Sequence, residues 1–121
     1  MIGPLMMCVG SVVLLIGMLA GIVMGITEDF VLAPAHAHLN LVGGVLLFLF
    51  GLYYKLVPAA GVTTLAKVQG WLHIVGGIVF PAGVAMVVLE GPSFIAAPIV
   101  GSLIVVAMAL FAVIVFRTSR A

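Results

Sequence analysis

Charge is what this sequence has least of. Four Lys or Arg and three Asp or Glu make up 6% of its 121 residues, against 66% hydrophobic residues. A soluble domain of this size has too few polar residues to cover its surface, so the composition calls for a bilayer as solvent. A net charge of +1 gives no ground for a nucleic-acid partner, and none is expected. Cysteine is equally scarce. With Cys8 alone, no intramolecular disulfide can form, and without a Cys-x-x-Cys-His run no haem can be attached covalently. Cys8 lies within an apolar run whose neighbours offer no polar support to a ligand, so an inert packing residue is expected.

What is present is four long apolar runs, at about residues 4–26, 34–57, 65–89 and 94–116. Each is near the ~20 residues needed to cross the hydrocarbon core. Backbone groups in lipid must bond within their own segment, so the runs are predicted to be helices. The expected fold is an all-α membrane protein: one domain over 1–121, with four transmembrane helices in an up-down bundle. Lys55, Lys67, Arg117 and Arg120 then fall at one end, and Glu28, Asp29 and Glu90 at the other. The positive-inside rule places both termini in the cytoplasm, in a multi-pass protein of the inner (cytoplasmic) membrane.

The chemistry concentrates in Ala35-His36-Ala37-His38-Leu39-Asn40-Leu41-Val42-Gly43-Gly44. A helix turns about 100° per residue, so His36 and His38 point to nearly opposite faces and cannot pinch one metal ion. His36 shares a stripe with Asn40, Gly43, Leu47, Gly51 and Tyr54, whereas His38 looks along Val42, Val45, Leu49 and Leu52. Glycines beside an imidazole are expected to leave room for something flat. An ionisable side chain inside a membrane span is a functional candidate. The plainer alternative is a neutral histidine at the outer interface, bonded to water or backbone. Two such residues followed by Asn40 and glycines argue against it.

Elsewhere the signals are more ordinary. Gly17, Gly21 and Gly25 form a tandem small-residue motif, expected to bring a neighbouring helix close, within the unit rather than between subunits. Ala35-His36-Ala37 fits a signal-peptide cleavage pattern, but the apolar run before it is too long, lacks a basic start and is followed by Glu28-Asp29. The first loop reads as a solvated turn, with Pro34 as an early helical residue. Tyr53, Tyr54 and Lys55 read as interface anchors, as does Trp71. The loop 58–64 is predicted to be flexible, and the fourth span to be a lipid-facing wall. His73, Gly77 and Pro81 share a stripe, with a kink expected where Pro81 removes the amide that would bond the Gly77 carbonyl. His73 is a further candidate ligand. It lies about 15 Å from His38 in depth, an awkward pairing for two axial ligands of one haem.

The second span resembles the tenth helix of the catalytic subunit of haem-copper oxidases. The closest likeness is to the C-type (cbb) cytochrome oxidases and nitric oxide reductases. The matching residues are His36-x-His38, Gly43, and Gly51-Leu52-Tyr53-Tyr54-Lys55-Leu56-Val57-Pro58. Trp71-Leu72 and Gly76 resemble the following helix more weakly. Gly44 stands where the family usually has Trp, and Gln69 where it has His. The family subunit is an array of four-helix repeats, and this chain looks like one of them. The resemblance implies that His36 matches the ligand of the high-spin haem and His38 that of the low-spin haem.

The expected cofactor is therefore haem b, held by His36 and His38 with Asn40, Gly43 and Gly44 around them. Copper is a secondary candidate. A neutral imidazole on haem iron in an apolar site suits electron transfer with an unidentified redox partner, or the binding of dioxygen or nitric oxide. No other histidine shares the depth of the pair. A homo-oligomer is expected to supply the missing ligand, a trimer before a dimer. Two alternatives remain: a homo-oligomeric terminal oxidase or nitric oxide reductase, and an accessory or assembly subunit without cofactor.

Overall fold

The computed structural model describes residues 1–91 and 95–120, and all of its regular structure is helical. Helix α1 spans Gly3–Thr27, with Pro4 in its first turn where a missing amide costs nothing. It ends on Glu28 in the left-handed conformation (φ 54°). The Asp29 carboxylate then accepts the Val31 amide at 3.2 Å and turns the chain back. The second span is composite. Helix α2, Ala33–His38, leads into a π-helical stretch, Leu39–Leu46, and then into α3, Leu47–Leu56.

The loop expected to be flexible is ordered. Pro58–Gly61 form a single helical turn, α4, and Thr63 caps the next helix by accepting the Ala66 amide at 3.1 Å. Helix α5 runs from Thr64 to Glu90, continuous through Pro81. Helix α6 covers Ala96–Ser119; Phe94, the expected start of the fourth span, lies outside the described residues. The helices 3–27, 33–56, 64–90 and 98–119 are long and apolar enough to cross a membrane.

Packing follows the order α1, second span, α5, α6. Glycines set the closest approaches. A Cβ on Gly3 would press on the Gly51 carbonyl at 2.7 Å, and one on Gly10 on the Gly44 carbonyl at 2.9 Å. Such small-residue contacts replace the hydrophobic drive that lipid removes. The core lies at the end carrying α4, built from Ile2, Met6, Leu47, Phe50, Tyr54, Ala60, Ala66, Ile74 and Ile114.

Two polar side chains in this half are tied down. The Tyr54 hydroxyl donates to Gln69 Oε1 at 2.8 Å, and Gln69 Nε2 donates to the Ala107 carbonyl at 3.2 Å. Tyr54 is thus a fully buried strut joining α3, α5 and α6, not an interface anchor. Tyr53 donates to Thr118 on α6 and meets Phe111 edge-on. Trp71 and Lys55 are exposed, as anchors would be. Cys8 is exposed on α1 rather than packed.

Candidate functional site

The half of the bundle carrying the histidine pair is more open. His36 and His38 are both half-buried and point to different neighbours. His36 faces α1, where a Cβ on Gly21 would stand 3.1 Å from its Cε1. One turn on, Asn40 Nδ2 donates to His36 Nε2 at 3.1 Å, and the Asn40 carboxamide fills the space that a Cβ on Gly17 would need. Gly17 and Gly21 therefore make room for Asn40 and His36, while Gly25 has none of the described residues within 4 Å. Gly17 and Gly21 thus act inside the unit, but they admit polar side chains rather than a backbone. Among the described residues, buried His36 Nδ1 and Asn40 Oδ1 have no partner.

His38 turns toward α5. Its ring meets Phe80 edge-on at 5.1 Å, and Phe80 lies where a Cβ on Gly101 of α6 would stand 3.2 Å away. His38 Nδ1 lies 2.6 Å from the Pro34 carbonyl. A carbonyl only accepts, so Nδ1 carries the proton and Nε2 keeps its lone pair. Among the described residues that Nε2 has no hydrogen-bond partner. An imidazole anchored through Nδ1–H to a carbonyl is the usual support for a metal-bound histidine.

The expected stripes hold in part: His36, Asn40, His38, Val42 and Leu52 are half-buried, and the π-helical stretch interrupts the period. Gly43, Leu47, Gly51 and Tyr54 are buried, while Val45 and Leu49 are exposed. The slot expected beside the imidazole is filled by protein. Gly43 lies against the Gly77 carbonyl and Gly44 against the Leu14 side chain. Pro81 has no amide to offer the Gly77 carbonyl, and that oxygen faces the bare Cα of Gly43.

Next to His36 runs an apolar groove of about 530 Å³ between α1 and α5, bounded by Ala20, Met24, Leu39, Ile78 and Pro81. Its size falls within the range of cofactor pockets. Apart from the imidazole its lining is apolar, so it offers shape and low dielectric rather than charge.

His73 is 1% exposed and its Nε2 donates to the Val42 carbonyl at 2.8 Å, while its ring meets Phe50 edge-on. With Nε2 so engaged, His73 is enclosed within the packed bundle. The partners of His38 and His73 on one common helix are instructive: Phe80 lies beside His38, seven residues beyond His73. The two imidazoles are thus separated by about 10 Å along the bundle. They are not an axial pair. Among the described residues no three His, Cys, Asp or Glu converge to hold a metal ion. Sequence reasoning missed the π-helical stretch, because apolar and small residues there fit either ladder. It also missed the Tyr54–Gln69 pair, for which a buried glutamine in an apolar span was the available signal. No family model, curated protein or solved structure matches this chain.

Proposed function

We propose that this chain is an integral-membrane b-type haem protein of the inner membrane. His38 is the first axial ligand, and His36 is a second candidate on the opposite face. The role is one-electron transfer, or the binding of dioxygen or nitric oxide, within a homo-oligomer. The observation that carries this reading is the Pro34–His38 hydrogen bond, which fixes the tautomer of the neutral ring and leaves Nε2 without a partner among the described residues. Bound haem supplies one-electron iron chemistry. The chain supplies an imidazole of set orientation with Phe80 edge-on beside it, and an apolar groove next to His36. The donor set fits one imidazole on each face; among the described residues no three His, Cys, Asp or Glu come together for a copper centre.

Six-coordination at His38 calls for another imidazole at its depth, and His73 lies deeper and is already bonded. A second copy of the chain is the economical source, in a closed ring, with three copies preferred over two. Native mass spectrometry of detergent-extracted protein, with haem counted per chain and the optical spectrum recorded, is expected to show an oligomer with a reduced b-type band. A six-coordinate haem-loaded monomer would overturn the assembly argument.

A cofactor-free accessory subunit is the second reading, favoured by the Asn40 bond to His36 Nε2 and by the filling of the glycine stripe. The same spectrum separates the two. The pairings of Gly3 with Gly51 and Gly21 with His36 support an up-down bundle, and the charge distribution supports cytoplasmic termini. A reporter fused after Ala121 is expected to be active only in its cytoplasmic form; activity of a periplasmic reporter there would reverse the orientation.

A further inference from the structure

The aim of the histidine pair depends on a departure from α-helical geometry downstream of it. From Leu39 to Leu46 the ladder is π-helical, although no proline, serine or threonine in that stretch forces it. A π-turn carries one residue more than an α-turn, and each such residue rotates everything upstream by about 100° relative to α3. With α3 held by Gly51 on Gly3 and by Tyr54 on Gln69, that rotation falls on α2. Whether His36 meets Gly21 and Asn40 meets Gly17 is therefore decided by the ladder between Leu39 and Leu46.

Something outside the stretch must hold it, because short side chains and apolar contacts do not distinguish the two ladders. The structure places one strong polar group there. His73 Nε2–H reaches across from α5 and donates to the carbonyl of Val42, in the middle of the π-helical stretch, at 2.8 Å. A side chain inserted into the helical ladder is a recognised cause of local distortion. Next to it the Gly43–Gly77 contact lets the two backbones approach closely enough for the imidazole to reach. His73 is enclosed, so water does not compete for the carbonyl.

We propose that His73 is a positioning residue: its bond to the Val42 carbonyl fixes the π-helical register and thereby aims His36 at α1 and His38 at α5. This deepens the haem reading, in which those two imidazoles are the ligands, but the register belongs to the chain itself. It is therefore tested on haem-free protein in lipid bilayers by solid-state NMR with selective ¹³C and ¹⁵N labels, leaving the haem question to the optical spectrum.

In the wild type, a dipolar contact between the Val42 carbonyl carbon and the His73 imidazole nitrogen is expected, together with a contact between the Asn40 side chain and Gly17 Cα. His73→Leu fills the same space without a donor. It is expected to lose the Asn40–Gly17 contact while keeping the Tyr54–Gln69 contact as evidence of an intact bundle. His73→Gln restores a donor of similar reach and is expected to restore the Asn40–Gly17 contact. A residue that merely filled space would tolerate leucine. The proposal fails if the wild type lacks the Val42–His73 contact, or if His73→Leu keeps the Asn40–Gly17 contact. Should the leucine variant lose the Tyr54–Gln69 contact as well, the glutamine variant decides: Asn40 displaced from Gly17 in an otherwise intact bundle sinks the idea.

Discussion

Purified His38→Ala protein is expected to lose the reduced b-type band of the wild type. In the proposed haem site the substitution would remove the iron bond itself. Its effect should exceed the roughly 10–100-fold loss of affinity that follows when only the outer partner of a ligating histidine is removed. The geometry makes the result specific to this residue. His38 Nδ1–H is bonded to Pro34 within its own helical turn, so among the described residues the alanine variant breaks no hydrogen bond to another helix. It leaves Phe80 facing a small void at a half-exposed position. His36→Ala, in contrast, keeps the Pro34–His38 bond and is expected to retain the band that belongs to the His38 face. It alters only the environment shared with Asn40 and Gly21. Wild-type spectra from both single variants would show that neither imidazole holds iron. Pyridine extraction of haem, normalised to protein, reads the outcome directly.

Gly43→Ala is expected to be the most damaging single methyl addition in the second span. The new Cβ would collide with the Gly77 carbonyl, a backbone oxygen of α5 that cannot rotate away. Overpacking of a close contact typically costs about 1–3 kcal/mol, and here the relief would require parting α5 from the π-helical stretch. That parting would also stretch the His73–Val42 bond one residue away. Gly25→Ala provides the matched control. None of the described residues lies within 4 Å of its added methyl, and an alanine in a helix is favoured over glycine by about 1 kcal/mol. The two variants are therefore expected to shift thermal unfolding in detergent in opposite directions. Equal behaviour of the pair would mean that the Gly43–Gly77 crossing contributes little to stability.

The helices, their number and the apolar character of their surfaces were legible from composition alone. In lipid a backbone without water has few ways to satisfy its polar groups, and runs of about 20 apolar residues leave only the helical one. The opposed directions of His36 and His38 were legible too, since both lie in the regular helical turn Ala33–His38, where 100° per residue applies. The buried stripe through Leu47, Gly51 and Tyr54, all within α3, followed from the same period.

What required the tertiary structure was the use made of each small or polar residue. Gly43 and Gly44 looked like open space beside a ligand, and they are contact points for Gly77 and Leu14. A glycine in a sequence marks a place where something comes close, without saying whether that is a cofactor, a backbone or a side chain. Tyr54 sat in an aromatic and basic cluster typical of an interface. Only its meeting with Gln69, fifteen residues away, placed it in the core. His73 read as a possible ligand, since any imidazole in a span carries a lone pair. The Val42 carbonyl engages its Nε2 proton, and that carbonyl belongs to a π-helical stretch which apolar side chains do not encode. The ladder Leu39–Leu46 is chosen by what crosses it, a glycine contact and one imidazole from α5, and such choices exist only once the helices have packed.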